Sequence, residues 1–472
     1  MAALMAFISL LVMTRFVAVE YGVMMWGFAL VSLVNTVADM GFNSANLKFI
    51  AKEGYDRSAC FSTYLVVKAI LTAILVVLVL VTVYWMRYSD MITDEALQVC
   101  LVLLVYQVIS NIQFAIFYTL DGLMMSGKSA ILTMVECFVR NAVLIVMALY
   151  CVNAVVLSQA YVLATVVSVI ISFYMVYQAK LNLVRPKYLR EYTVFAMPLA
   201  IGLIMTTAVT YLDKVIVGLF FESIEVTYYS TAVGLIATFT TIGVSLNNVL
   251  LPHLSKNIKD GESPQQTIWS LERAMLIFLS PFIIFFLILG PQIAEVLFGP
   301  DFGPSGQMIA VLSIQIIPFV IAGIMTQVLY ALNKGKSYMR ASIVMCIISV
   351  IGFFILIPDS GYQSFCMGYG GIGASISIVA AYIIFAIILV WMVRKSIKYR
   401  MYPKIWKIAV AFALSLALLY MTNYFIGFHG LILLAIAGIM VEFVFIGILI
   451  GLKELNKKDV FLIWKKFRDD ED

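Results

Sequence analysis

Charge is what this sequence has least of. Only 12% of its 472 residues are Asp, Glu, Lys or Arg, whereas a soluble domain carries about a quarter, so a water-soluble globular protein is excluded. Histidine occurs only as His253 and His429, and the six cysteines (Cys60, Cys100, Cys137, Cys151, Cys346, Cys366) show no CxxC spacing. Neither a metal site nor a disulfide framework is indicated. Strict alternation of apolar and polar residues is missing, which rules out a closed membrane barrel. No trustworthy cleavage site follows the first apolar run, so it is expected to be retained. A soluble domain and a large loop between apolar runs are both missing, which counts against a glycosyltransferase or a glycan polymerase.

What remains is apolar: 63% of the chain, in runs of about 20 residues, each long enough to cross a bilayer as a helix. The expected fold is an all-α integral membrane protein with about 14 transmembrane helices. Spans fall near residues 1 to 19, 22 to 44, 62 to 86, 97 to 119, 129 to 150, 154 to 178 and 194 to 219. Seven more lie near 227 to 251, 271 to 290, 307 to 332, 338 to 357, 372 to 393, 406 to 426 and 430 to 451. Alternate connections and the tail collect about 26 of the 31 Lys and Arg, among them Lys48, Lys128, Arg190, Lys334, Arg394 and Lys466. The opposite connections carry Glu20, Asp90, Asp94, Glu222, Glu295 and Asp359. The excess of basic residues on one side predicts that both termini are cytoplasmic.

At an offset of about 205 the chain matches itself. "SGKSAILTMV" from Ser126 resembles "KGKSYMRASIV" from Lys334, Gln107 falls on Gln315, Lys68 on Arg273 and Lys48 on His253. At a slightly shorter offset Thr14 and Arg15 fall on Asp213 and Lys214. This predicts two six-helix lobes of the same orientation, residues 1–180 and 181–400, followed by an extra helix pair at 401–452 and a charged tail at 453–472. Such parallel repeats are an arrangement of transporters.

"GLMMSGKS", Gly122 to Ser129, fits the phosphate-loop pattern GxxxxGK[ST] letter for letter. A working loop of that kind follows a β-strand in a soluble α/β domain; here a helix-to-helix turn is expected. The glycines of "GYGGIGAS", Gly368 to Ser375, read as a turn followed by close helix packing.

A charge inside hydrocarbon costs several kcal/mol unless it meets a partner or a cavity. Arg140 lies near the middle of the fifth span, with Glu136 one turn earlier and able to pair with it. A cationic site with Glu136 as its resting counter-charge is favoured over a structural pair. Arg15 and Lys214 each sit inside the end of a first lobe helix. For Arg15, snorkelling and function stand equal, whereas Asp213 beside Lys214 argues for function. Lys68 and Arg273 read as snorkelling near helix ends, although Lys68 completes a cationic set with Arg15, Arg140 and Lys214. Asp39, Gln107, Asn111 and Gln315, with Asn35, Thr238, Ser245, Asn247 and Asn248, form polar stripes that suggest a hydrated cleft. Pro198 and Gly202 in the seventh span, with Pro281 and Pro318, are expected to supply bends.

The runs "TRFVAVEYG" from Thr14, "ADMGFNSANLKFIAK", and "MPLAIG" leading to "LDKVIVG" closely resemble Wzx-type polysaccharide biosynthesis flippases. These belong to the multidrug, oligosaccharidyl-lipid and polysaccharide exporter superfamily, and the resemblance covers essentially the whole chain. It implies alternating-access movement of a polyprenyl-pyrophosphate-linked oligosaccharide across the cytoplasmic membrane, for O-antigen or capsule synthesis. Arg15 and Lys214 match basic positions of the family, whereas Arg140 is nominated from its depth alone. The resemblance further implies a lipid-facing groove at the last two helices, where Glu442 is an unexplained mid-span acid. Membrane lipids and polysaccharide assembly proteins are the expected partners; no cofactor and no nucleic acid are expected. Coupling to Na+ or H+ fits the superfamily, with Asp39, Asp213 and Glu136 as candidate carriers that the sequence does not choose between. A multidrug exporter of the same superfamily is the nearest rival reading.

Overall fold

The computed structural model describes residues 2–52, 54–178, 181–259, 264–332, 334–359, 361 and 366–455; within these, the side chains of 2, 3, 198, 201 and 242–259 are not described. Every regular element among the described residues is helical. In chain order these are α1 (Ala2–Phe16), α2 (Ala18–Asp39), α3 (Phe42–Ile50), α4 (Arg57–Tyr88), α5 (Asp94–Gly122), α6 (Ser126–Leu149), α7 (Ala154–Gln178) and α8 (Leu189–Phe220). They continue as α9 (Ser223–Lys259), α10 (Gln265–Phe298), α11 (Gly303–Ser313), α12 (Ile316–Ala331), α13 (Gly335–Leu356), α14 (Gly370–Ile397), α15 (Ile405–Ile426) and α16 (Leu431–Gly451), with one 3-10 turn at Pro300–Phe302.

Twelve helical segments among the described residues are long and apolar enough to cross a membrane. The expected count of about fourteen spans is not confirmed among the described residues. The first expected span falls on α1, whose described apolar part runs over Leu4–Phe16; the chain leaves this helix at Val17 and starts α2 at once. The eighth falls on α9, much of whose side-chain structure lies outside the described residues, Ser245, Asn247 and Asn248 included.

Two expected spans are broken, for local reasons. The second ends at Asp39, where Met40 (φ 39°) and Gly41 (φ 81°) take left-handed backbone before α3 begins. That conformation suits glycine, and a Cβ on Gly41 would also lie 2.8 Å from the Ala196 carbonyl oxygen of α8. The tenth is interrupted at Ile314 and Gln315 between α11 and α12, where Pro318 has no N–H to offer the Ile314 carbonyl. Pro281, by contrast, lies inside an uninterrupted α10, and α8 runs helically through Pro198, whose side chain lies outside the described residues.

The chain forms two compact units. The first comprises Met1–Thr231 and Cys346–Ala374, the second Ala232–Met345 and Ser375–Asp472. In the first, α2 is the hub, packing on α1, α4, α5, α7 and α8. Its approach to the α8–α9 turn is very close: a Cβ on Gly22 would sit 1.9 Å from the Ser223 carbonyl oxygen, and one on Gly218 would sit 2.1 Å from the Trp26 ring. Thr227 donates to the Ala18 carbonyl at 2.6 Å, and the Trp26 indole donates to the Val215 carbonyl at 3.2 Å. Small residues permit this backbone contact where lipid offers no hydrophobic drive. A second core joins α3, α4 and α8 around Phe42, Phe49, Tyr64 and Tyr192, with Phe49 stacked on Tyr192 at 5.1 Å. In the second unit α10 packs on α11, α12, α15 and α16.

The phosphate-loop lookalike is a helix-to-helix turn. Gly122 ends α5 against Ile50 of α3, with its added Cβ only 2.2 Å from that side chain. Met124 makes the turn (φ 60°), and Lys128 donates to Gln178 at 2.9 Å. The "GYGGIGAS" segment is likewise a turn, at Gly368 (φ 71°) and Gly370 (φ 51°), followed by close packing of Gly373 on the Leu356 carbonyl.

Gly22→Leu should cost several kcal/mol through overpacking at the α2–α9 contact and reduce the yield of monodisperse detergent-extracted protein. Gly127→Ala, where nothing lies within 4 Å of the added Cβ, should behave as wild type in the same extraction and in thermal unfolding.

Candidate functional site

The candidate residues of the first unit fall into separate polar clusters. Asp39 ends α2 and caps α3, its carboxylate accepting from the Asn43 amide at 3.3 Å. Lys68 of α4 is 4% exposed, within electrostatic reach of Asp39 and 6.0 Å from the Tyr64 ring. It does not snorkel: the break after α2 places an acid inside, and the lysine is drawn toward it. Tyr64 donates to Asn43, Tyr192 donates to Asn46 at 3.0 Å, and Asn46 donates to Thr119 at 2.9 Å. Hydrogen bonds thus tie α3 to α4, α5 and α8.

The α8 pair is buried. Asp213 accepts from the Tyr229 hydroxyl at 2.7 Å and from the Lys214 amide at 2.7 Å. The Lys214 ammonium lies 3.4 Å from Asp213, donates to the Thr210 carbonyl at 3.2 Å, and stands 5.5 Å from the Tyr229 ring. Adjacent helical residues diverge by about 100°, but the flexible lysine stem folds back far enough for the two to meet. Asp213 keeps two good donors, an amide and a hydroxyl, without the ammonium. A 3.4 Å contact is long beside the roughly 2.7–2.9 Å of a strong charge-assisted bond, so Lys214 is the loosely held member.

Arg140 and Glu136 of α6 pair at 3.3 Å, and Arg140 lies 5.2 Å from the Tyr161 ring of α7. Gln113 of α5 donates to Glu136 and to Ser168, both at 2.9 Å. Tyr161 packs on Tyr106 and Phe28, each at 5.3 Å, and Phe28 on Tyr211 at 6.2 Å. An aromatic bridge therefore runs from the Arg140 cluster to the residue two before Asp213. Sequence reading missed Tyr106, Tyr161, Tyr211 and Tyr229; the available signal was tyrosine, which has one polar atom to satisfy, inside apolar runs.

The polar stripes are turned toward each other. Gln107 donates to Ser32 at 3.0 Å and Asn111 to Asn35 at 2.9 Å, joining α5 to α2. Gln315, in the second unit, sits at the α11–α12 break with its side-chain amide oxygen unpartnered among the described residues. Arg15 is exposed at the end of α1, while Thr14 beside it is buried and donates to the Leu10 and Leu11 carbonyls. Gly202 lies in α8 with open space where a Cβ would be. Arg273 donates to Glu454 at 3.1 Å. Glu442 is half-buried on α16. No group of three or more His, Cys, Asp or Glu able to hold a metal forms among the described residues.

Removing one member of the Arg140–Glu136 pair strands the other charge. Arg140→Met should lower stability by about 1–3 kcal/mol, and the double variant Arg140→Met with Glu136→Gln should recover most of it. Thermal unfolding in detergent across the double-mutant cycle measures this coupling.

The model of the family described as polysaccharide biosynthesis protein matches residues 12–307. No curated protein matches the chain. Among solved structures, the fold is similar to that of the lipid II flippase MurJ in its inward closed conformation. The TM-score is 0.76 at 14% identity, covering 95% of this chain and 96% of that one. It is also similar to an inward-facing multidrug resistance MATE family transporter of the MOP superfamily, with a TM-score of 0.66 at 13% identity, covering 84% of this chain and 95% of that one. A MOP superfamily transporter from Pyrococcus furiosus gives a TM-score of 0.52 at 13% identity, covering 84% and 95%. At such identities the likeness establishes the fold, and the family rests on the sequence match over residues 12–307. On that match the chain belongs to the polysaccharide biosynthesis protein family, and its fold is similar to that of the lipid II flippase and MATE structures.

Proposed function

We propose that this protein is a transporter, a flippase for a polyprenyl-pyrophosphate-linked oligosaccharide. It would move the head group across the cytoplasmic membrane for O-antigen or capsule assembly, with both termini cytoplasmic. The observation that carries this reading is the Asp213–Lys214–Tyr229 cluster. A buried ammonium whose acid neighbour is already satisfied by an amide and a hydroxyl can turn to an anionic ligand without stranding a carboxylate. A diphosphate supplies that ligand, and desolvation in the helix interior strengthens the contact.

In the same reading Arg15, Arg140 and Lys68 are further cations for the head group. Asp39, Gln107, Asn111 and Gln315 supply the polar path, and Asp39, Asp213 or Glu136 carries a coupling Na+ or H+. The lobes 1–180 and 181–400 alternate in access about Pro198 and Gly202, while 401–452 accommodates the lipid chain. Binding drives the change only through tighter contact in one state than in the other. Coverage supports a flippase over a drug exporter, since the lipid II flippase accounts for 95% of this chain and the MATE structure for 84%.

The test is the fate of the lipid-linked intermediate in cells lacking the protein. It should accumulate in the inner leaflet, and outer-leaflet delivery that proceeds normally would sink the proposal. In complemented cells Lys214→Ala should lower delivery roughly 10- to 100-fold, the equivalent of one charged hydrogen bond, with Lys214→Arg retaining most of it. Unchanged delivery by a Lys214→Ala protein that still inserts would remove Lys214 from the site.

A further inference from the structure

Glu272, in the first turns of α10 in the second unit, is a buried acid for which the flippase reading has no use. The residue is 4% exposed. One carboxyl oxygen accepts from the Tyr399 hydroxyl, which comes from the connection between α14 and α15. The other oxygen has no hydrogen-bond partner among the described residues. Beside the side chain is a small cavity of about 10 Å³, walled by Met275, Leu279, Ile317, Val320 and Ile324 of α10 and α12. Its volume is at the lower limit for a single water, and its walls, Glu272 apart, offer that water no polar partner.

The nearby cations among the described residues are committed elsewhere. Arg273, the next residue, donates to the Glu454 carboxylate at 3.1 Å and to the Glu454 carbonyl at 2.6 Å. Lys407 of α15 lies 4.0 Å from the same carboxylate and donates to the Leu452 carbonyl at 2.7 Å. Tyr402 also donates to Glu454. The Arg400 carbonyl accepts from the Trp269 indole at 2.7 Å, which fixes the linker backbone against α10. Among the described residues, the groups that face Glu272 are therefore the Tyr399 hydroxyl and the Tyr402 amide from the linker and apolar side chains alone from α12.

An ionised carboxylate in that setting keeps one oxygen against hydrocarbon with neither a cation nor a donor, at a cost of several kcal/mol. The neutral acid avoids the cost. Asp39, Asp213 and Glu136 each have a cation in reach as well as an amide, a hydroxyl or an amide side chain, so none of them shares this environment. We propose that Glu272 is a proton-binding site, holding its proton while α10, α12 and the 398–404 linker are packed together and releasing it when that packing opens. The proton leaves the carboxyl for water, with no other bond made or broken. This inference does not depend on what the protein carries.

Glutamine is the uncharged isostere of the protonated acid, so Glu272→Gln in the full chain tests the assignment directly. The infrared spectrum of the purified wild type should contain a protonated-carboxyl C=O band that the variant loses. A group that binds its proton more tightly when folded stabilises the fold at acid pH and loses that contribution as pH rises. The unfolding midpoint of the wild type should accordingly fall with rising pH relative to that of Glu272→Gln, the two agreeing at acid pH. Tyr399→Phe, which removes the one hydroxyl that supports the ionised form, should enlarge the fall. The proposal is overturned if Glu272→Gln does not fold, if it is less stable at every pH, if the two midpoints track each other across the range, or if no carboxyl band is lost.

Discussion

Hydrocarbon offers a polar atom nothing to bind, so each one placed inside an apolar helix has to find its partner within the protein. That constraint organises the first unit. Asp39 is taken up by the Asn43 amide and the nearby Lys68, Glu136 by Arg140 and Gln113, and Asp213 by Tyr229 and the Lys214 amide. In each case at least one partner comes from another helix or from across a helix break. The polar residues therefore fix which helices meet, and they do so where apolar side chains would be indifferent between a neighbouring helix and lipid.

Packing then fixes where the charged pair of α8 stands. Gly22 and Gly218 let α2 approach the α8–α9 turn so closely that Trp26 reaches the Val215 carbonyl, one residue beyond Lys214. Thr227 binds the first turn of α2, and Tyr229, two residues on, binds Asp213. The helix start that carries the packing threonine thus also carries the tyrosine that satisfies the acid. Loss of the glycine contact would remove both at once, which links the fold of the hub to the electrostatics of the site.

Most of the helices were legible because a run of about 20 apolar residues has few other fates. The identity of the charged positions was legible too, since a lysine or arginine among leucines is conspicuous in any reading. Their environments were not. Lys68 and Arg273 looked alike from sequence, both near helix ends, yet one is buried within reach of Asp39 and the other is bound to Glu454. The partner acid of Arg273 lies 181 residues away in the chain, beyond any local pattern. The break after Asp39 escaped notice because its left-handed residues are a methionine and a glycine, and neither interrupts an apolar run. Tyr229 and Tyr161 were invisible as site residues because a tyrosine reads as part of the apolar count until its hydroxyl or ring is seen to face a charge.

Residues that the expected repeat matches have different environments. Thr14 and Arg15 fall on Asp213 and Lys214, but Thr14 turns its hydroxyl back to its own helix and Arg15 is exposed, whereas the α8 pair is buried with Tyr229. Gln107 falls on Gln315, but Gln107 lies within an unbroken α5 and binds Ser32, whereas Gln315 stands at a helix break. The cause in the second case is local: Pro318 follows Gln315 by three residues, and no proline occupies the matching turn after Gln107. In the first case it is the acid, because Asp213 gives Lys214 a reason to stay inside that threonine cannot give Arg15. An interior cation held at 3.4 Å, beside an acid that has other donors, is the arrangement that can change partners.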